Sequence, residues 1–158
     1  MSITNLSKED SLKLLKSLLN TIRKDIDQDE LVKVMLDTLA EQSYIPLSIF
    51  SGKLSPAESL CLYLKKEKGW QTKKIALFLK KDERTIWHNC KRAEKKGKLK
   101  IDTKILIPLS IFQSKRSVLE NIIFHLIKEG HSYQEISNLL NKKYTTITTV
   151  YYRAKKNE

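Results

Sequence analysis

Three short runs of apolar residues between positions 55 and 96 have the spacing of helices. The first run follows SPAE at 55–58, which combines an N-cap serine, a proline at the first helical position and a capping-box glutamate. The second predicts a short helix over about 72–80, and the third predicts a helix over about 83–96. The apolar positions are Leu60, Leu62, Tyr63 and Leu64, then Ile75, Ala76, Phe78 and Leu79, then Ile86, Cys90 and Ala93.

The same succession occurs a second time. IPLSIF at 45–50 recurs unchanged at 107–112, and two further capping boxes begin at Ser117 and Ser132. A third helix of this second copy is expected over about 144–156. We therefore predict an all-α protein with an N-terminal extension (1–43), a first trihelical repeat (44–97), a linker (98–105) and a second trihelical repeat (106–158).

The IPLSIF segments lie outside the helical patterns. Each is expected to act as an N-terminal hook that pins the first helix of its own repeat. In the first repeat the residues that would do so are Ile45, Leu47, Ile49 and Phe50.

Residues 1–43 contain two amphipathic helical patterns joined by the polar stretch RKDIDQD at 23–29. Ser7 is the expected N-cap of the first pattern. The simplest arrangement is an antiparallel helical hairpin. About 40 residues bury little apolar surface alone, so the hairpin should pack either on the repeats or on a second copy in a homodimer. The apolar faces consist of Leu12, Leu15, Leu18, Leu19 and Ile22, and of Leu31, Val34, Met35 and Leu39.

The third helix of each repeat keeps its apolar stripe and changes its opposite face. The stripe is Ile86, Cys90 and Ala93 in the first copy, and Ile147, Tyr151 and Ala154 with the adjacent Val150 in the second. The opposite face is basic and aromatic in one copy and rich in threonine in the other, so two similar scaffolds should present different contact surfaces. Packing against the neighbouring repeat or the linker is an alternative role for Trp87.

Charge adds a class of partner to this picture. The net charge is +12: residues 1–43 hold six basic and eight acidic side chains, and the remaining residues hold 24 basic and ten acidic ones. A strongly basic module suggests a polyanionic partner, although a solvated lysine-rich surface fits the charge equally well.

No apolar run approaches the roughly 20 residues that span a bilayer. Cys61 and Cys90 fit two reduced thiols in apolar niches, so we expect a cytoplasmic protein without a membrane partner.

The segment TKKIALFLKKDERTIWHNCKRAEKK at 72–96 resembles the helix-turn-helix of region four of bacterial sigma factors and the related LuxR-type domains. The resemblance implies two tandem helix-turn-helix units that bind DNA, with the third helix of each unit as the reader. Lys143 stands where this pattern has an N-cap residue, and a tandem pair differs from the single unit of a sigma factor. The matching positions are Ile75, Ala76, Leu79, Asp82, Thr85, Ile86, Arg92, Ala93 and Lys96, and Glu135, Ile136, Ser137, Leu140, Thr146, Ile147, Arg153 and Ala154.

Together, these features predict a sequence-specific double-stranded DNA-binding protein that regulates transcription and reads the major groove with the third helix of each repeat. The predicted DNA contacts are Arg84, Thr85, Trp87, His88, Lys91, Arg92 and Lys95, and Thr145, Thr146, Thr148, Thr149, Tyr152, Arg153 and Lys156. The alternative is a helical adaptor that uses the same units to dock proteins. Burial of Trp87 and Tyr152 between the repeats would favour the adaptor. The sequence has no phosphate loop, metal-ligand set or nucleophile–base spacing, so neither an enzyme nor a bound cofactor is expected.

The arrangement of the two copies on DNA can also be predicted. They follow each other in the same orientation along the chain and are joined by about ten residues, which reach at most about 33–36 Å when extended. That length is close to one turn of B-DNA. We expect the two reading helices to occupy successive major grooves over two unlike half-sites, whereas a palindrome would require a dimer through residues 1–43.

Overall fold

The computed structural model describes residues 7–22, 27–41 and 43–156. These residues form eight α-helices and one pair of three-residue strands, so the prediction of an all-α class is confirmed. The chain divides into two compact units, with the boundary between Leu36 and Asp37. The elements are α1 (Lys8–Ile22), α2 (Gln28–Glu41), β1 (Tyr44–Pro46), the 3-10 turn η1 (Leu47–Phe50), α3 (Pro56–Lys66), α4 (Thr72–Leu79), α5 (Glu83–Lys96), β2 (Leu106–Pro108), the 3-10 turn η2 (Leu109–Gln113), α6 (Val118–Lys128), α7 (Tyr133–Leu140) and α8 (Tyr144–Lys156).

The N-terminal unit contains α1, whose apolar face is exposed. The Ser7 hydroxyl accepts a hydrogen bond from the Asp10 amide at 3.1 Å, as expected of an N-cap. Leu12, Leu15 and Leu18 are each about half exposed, and no residue of α1 is buried. The predicted packing of Leu39 concerns a side chain that lies outside the described ones. The predicted link at 23–26 lies outside the described residues.

The helices of the second unit begin where local capping predicts. Ser55 and Glu58 form a reciprocal capping box at the start of α3, with Pro56 at the first helical position. The capping boxes that begin at Ser117 and Ser132 have the same reciprocal bonds. These helix starts were predictable because each depends on residues within one turn.

The two IPLSIF segments pair with each other. β1 and β2 are antiparallel, with Ile45 opposite Ile107, which is its counterpart in the second copy. The amide of Leu47 donates to the Ile105 carbonyl at 2.9 Å, and the amide of Leu109 donates to the Ser43 carbonyl at 2.8 Å. The hook prediction was thus incomplete, since each segment contacts its own first helix and also joins the two copies.

The repeats share one hydrophobic core. The first helices α3 and α6 pack together, and each 3-10 turn contacts the second helix of the other repeat, η1 with α7 and η2 with α4. Phe50 and Phe112, which are equivalent residues, bring their ring centroids to 5.9 Å. One continuous cluster of buried residues extends from Ile45 to Val150.

The linker at 98–105 is fastened to the first repeat. The Ser48 hydroxyl donates to the Asp102 carbonyl at 3.0 Å and accepts from the Asp102 amide at 2.7 Å. Leu99 is partly buried and packs against the core. The linker therefore has a defined path and does not act as a free tether.

Candidate nucleic-acid interface

The helix α5 is positioned by its cap and its buried stripe. The Asp82 carboxylate accepts from the amides of Arg84 and Thr85 at 2.9 and 3.3 Å, which confirms the predicted N-cap. Ile86, Cys90 and Ala93 are at most 2% exposed. Cys90 lies beside the buried Cys61 of α3, and both thiols are free.

The turns before the two third helices have the same backbone geometry. Lys80 ends α4 in the left-handed region with φ 51° and ψ 46°. Asn141, its counterpart at the end of α7, has φ 50° and ψ 49°. A single left-handed residue of this kind caps the preceding helix and redirects the chain, so the two copies turn at equivalent positions before their third helices.

The predicted stripe of α8 packs on the first two helices of its repeat, and its members differ in how deeply they are buried. Ile147, Val150 and Ala154 are the buried residues. Tyr151 is only half-buried, with its ring centroid 5.1 Å from that of Phe124 and 5.5 Å from that of Tyr133. Tyr151 packs against the core through Phe124 of α6 and Tyr133 of α7, which are the first two helices of its repeat, while Val150 beside it is buried.

The outward face of α5 is a mixed basic and aromatic surface. Arg84, His88, Lys91 and Lys95 are exposed, and Trp87 is 48% exposed. The Trp87 ring meets the His88 ring edge to face at 5.0 Å between centroids, and the Lys91 ammonium lies 5.5 Å from the Trp87 centroid. The described ring neighbours of Trp87 therefore come from its own helix.

The outward face of α8 is rich in hydroxyls. Thr145, Thr146 and Thr149 are exposed, and Tyr152 is 62% exposed. Thr148 is half-buried, and its hydroxyl lies 3.3 and 3.1 Å from the carbonyls of Tyr144 and Thr145, to which it donates. The Thr148 hydroxyl therefore uses its proton within the helix, and only its oxygen lone pairs and methyl group are available to a ligand.

Two of the predicted contact residues lie beside buried glutamates. The Arg153 guanidinium binds the Glu120 carboxylate through Nε at 3.0 Å and Nη2 at 2.9 Å. In the first repeat, Lys96 Nζ binds Glu58 at 2.8 Å and Arg92 Nε lies at 4.0 Å. Both arginine side chains remain 61% exposed. Arg153 thus holds α8 on α6, a role that sequence reasoning missed. The sequence feature that could have indicated this role is that Glu58 and Arg92 recur as Glu120 and Arg153 at matching positions of the second repeat.

Hydrogen bonding keeps these glutamates ionised. Burial raises the pKa of Glu58, but hydrogen bonds from Lys96 and Ser55 together lower the pKa by more than burial raises it. The net pKa therefore lies below its ordinary value. Burial likewise raises the pKa of Glu120, and bonds from Ser117 and Arg153 bring the net pKa below the ordinary value. Each third helix is therefore joined to the first helix of its repeat by a buried anion.

The charge of the third helices is positive. α5 carries five basic and two acidic side chains, and α8 carries three basic and no acidic ones. Glu94 of α5 is bound to Lys65 of α3 at 2.9 Å. Lys95 and Lys156 are exposed in the last turns of their helices, where cations are also favoured by the helix dipole.

The described part of the chain holds no group of three or more histidine, cysteine, aspartate or glutamate side chains that could bind a metal ion. None of its helices has the length and apolar character needed to cross a bilayer.

Comparisons of the chain with protein-family models, with curated proteins and with solved structures found no match. The geometry of the two third helices is therefore the basis for a functional assignment.

Proposed function

We propose that the protein is a sequence-specific double-stranded DNA-binding protein that regulates transcription, and that α5 and α8 read the major groove. Each of these helices follows a short helix and a tight turn, which is the order of elements in a helix-turn-helix. The first helix of each repeat is joined to the third helix through a buried glutamate.

One observation carries the proposal. Of the 14 side chains predicted to contact DNA, 13 are exposed and Thr148 is half-buried, while the opposite stripe of each helix is buried. A surface that contains tryptophan, tyrosine, arginine and several threonines is poorly suited to solubility alone. It is well suited to base edges, phosphates and thymine methyl groups.

The two faces would recognise different features of DNA. Arg84 has the fork of donors that binds guanine O6 and N7, whereas threonines bind base edges or the thymine methyl group. Lys91 and Lys95 supply cations for phosphates. Repeat one is thus suited to a site with a guanine, and repeat two to a site read by hydroxyl and methyl contacts.

A helical adaptor that docks another protein is the second candidate. The burial of Trp87 and Tyr152 between the repeats that would have favoured it is not observed, since both side chains are exposed. The observation left in its favour is the aromatic character of the exposed surface, which also includes Tyr144, since aromatic side chains are enriched at protein interfaces. The charge of the surrounding surface favours DNA, because Lys91 lies directly beside the Trp87 ring.

Selection of bound duplexes from a random pool at near-physiological salt tests the proposal. We expect a defined sequence to be enriched and to bind at least about 1,000-fold more tightly than unrelated duplex. A matched selection with the R84A/T149A variant, which alters both outward faces and leaves the buried stripes unchanged, should lose that enrichment. Equal binding of all duplexes, or none, would contradict the proposal and favour the adaptor.

A further inference from the structure

The contact between the repeats is symmetric under exchange of the two copies. In the antiparallel pair, Ile45 faces its own counterpart Ile107, and the pair Tyr44–Pro108 exchanges with the pair Leu106–Pro46. The bond from Leu47 to Ile105 likewise exchanges with the bond from Leu109 to Ser43. A register that is unchanged when the partners are swapped is the mark of a two-fold interface.

The packed elements obey the same exchange. α3 packs on its counterpart α6, and Phe50 packs on its counterpart Phe112. When the two repeats are exchanged, the contact of η1 with α7 becomes the contact of η2 with α4, and both contacts are present. The repeats are therefore related by an approximate two-fold rotation, although they follow each other in the same direction along the chain.

The rotation extends to the third helices. Each is fixed to the first helix of its own repeat, α5 to α3 through Glu58 and α8 to α6 through Glu120. Since α3 and α6 are related by the rotation, α5 and α8 are related by it as well. A single chain thus has the internal symmetry that helix-turn-helix proteins obtain by forming a homodimer.

We infer that one chain binds one DNA site made of two half-sites that run in opposite directions and differ in sequence. The inference rests on the proposed function and adds the form of the DNA target. A two-fold protein places its reading helices on half-sites of opposite direction, with centres about one helical turn apart or a multiple of it. The half-sites are unlike because Arg84, Trp87 and His88 in α5 correspond to Thr145, Thr148 and Thr149 in α8.

The first test compares orientations of the half-sites within the selected duplex. Reversing one half-site, which turns an inverted arrangement into a direct one, should weaken binding by at least about 100-fold. Native mass spectrometry should find one chain on each selected duplex. Tighter binding to the direct arrangement, protection of one half-site only, or two chains on each duplex would overturn the inference while leaving the proposed function intact.

The second test makes the two reading faces alike. The variant R84T/W87T/H88T/K91Y gives α5 the outward side chains of α8, and all four replaced residues are exposed, so the core is unchanged. Its selected site should be a perfect palindrome built from the half-site that α8 reads. The charge-matched control K13T/K16T removes two cations from exposed positions of α1 and should keep the original asymmetric site. An unchanged asymmetric site for the fourfold variant would overturn the inference, and failure of the full chain to select any duplex would overturn the proposed function too.

Discussion

Arg84 lies in the first turn of α5, where its backbone amide is bound by the Asp82 cap and its side chain is exposed. We expect Arg84→Ala to weaken binding of the selected duplex by roughly 1–3 kcal/mol, because a bidentate bond to guanine would be lost. The loss should be confined to duplexes that carry the preferred base pair. Titration of a matched set of duplexes, each changed at one position of the site, measures this.

Lys95→Ala is the control for this prediction. Lys95 is a point charge in the last turn of α5 and is expected to contact phosphate, so its removal should weaken all duplexes by similar factors. If Arg84→Ala also weakened every duplex equally, Arg84 would be a phosphate contact and not a base reader.

The buried carboxylates of Glu58 and Glu120 predict a dependence of stability on pH. Their folded-state pKa values lie below the ordinary value of 4.5. The unfolded chain therefore binds these protons more readily, so the stabilisation is fully present above about pH 4.5 and is lost as the pH falls through the folded-state values. Urea unfolding between pH 6 and pH 3 should show this loss, and it should be smaller in the E58Q/E120Q variant.

At neutral pH each of these substitutions should cost about 1–3 kcal/mol of unfolding free energy, because hydrogen bonds to a charged acceptor are weakened. Glu135→Gln is the matched control, since Glu135 closes a similar capping box at the surface and has no ion pair among the described contacts. A pH profile of E58Q/E120Q that coincides with that of the unaltered protein would contradict this assignment.

At the scale of the elements, the turns that precede α5 and α8 provide a matched comparison. Lys80 and Asn141 adopt nearly the same left-handed conformation. This region is strained for most side chains, is tolerated by asparagine, and is free of strain for glycine. We expect Lys80→Gly to raise the unfolding free energy by about 0.5–1 kcal/mol, and Asn141→Gly to change it much less, as measured by urea unfolding.

The difference between the two variants is the informative quantity. Glycine loses the same chain entropy on folding at either position. This loss therefore cancels when the change in unfolding free energy of Lys80→Gly is compared with that of Asn141→Gly. Equal effects of the two substitutions, or destabilisation by Lys80→Gly, would show that the Lys80 side chain makes contacts that outweigh the strain.

The helices could be predicted from sequence, whereas the joining of the repeats could not. The boxes at Ser55, Ser117 and Ser132 are local signals, and all three were confirmed. The pairing of Ile45 with Ile107 is a contact between distant parts of the chain, and three residues that include a proline have no strand periodicity. The repetition of IPLSIF indicated that both segments have the same role. It did not indicate that they pair, because two identical segments show the same sequence pattern whether or not they pair with each other.

In the candidate site, the exposed face of each third helix could be predicted from sequence, whereas contacts between helices could not. The stripe of Ile86, Cys90 and Ala93 defined which side of α5 is buried, and hence which side chains are exposed. The bond between Arg153 and Glu120 joins two helices, so periodicity within α8 could not indicate it. The inward direction of Tyr151 was predicted correctly, but its partial burial was not, because periodicity does not distinguish a fully buried residue from a large one at the edge of the core.

At the scale of the whole molecule, the charge distribution predicts a steep dependence of DNA binding on salt. The chain from residue 44 onward carries 24 basic and ten acidic side chains. If about six phosphates are contacted, the logarithm of the association constant should fall with the logarithm of salt concentration with a slope near −5. Fluorescence anisotropy with a labelled duplex between about 50 and 200 mM salt measures the slope. A slope near zero would contradict binding through the phosphate backbone.

The common core predicts that the two repeats unfold together. Phe112 of the second repeat is 2% exposed and packs on Phe50 of the first. Phe112→Ala should therefore cost about 3–5 kcal/mol and should destabilise both repeats equally. Both tryptophans of the chain, Trp70 and Trp87, lie in the first repeat, so their fluorescence reports on that repeat alone. Far-UV circular dichroism reports on the helices of both repeats and also on α1 and α2, so the midpoints of each variant are compared with those of the unaltered protein.

In urea, the fluorescence midpoint of Phe112→Ala should fall together with the circular-dichroism midpoint, since a two-state unit gives coincident transitions. Leu106→Ala is the control: Leu106 is in the neighbouring strand and is 48% exposed, so its loss should shift either midpoint little. A fluorescence midpoint that stays in place while helical signal is lost at lower urea would mean that the first repeat folds without the second. The two reading helices would then have no fixed relation to each other, and the two-fold arrangement could not determine the form of the DNA site. Coincident transitions would instead show that α5 and α8 are presented by one cooperative scaffold, as the recognition of paired half-sites by a single chain requires.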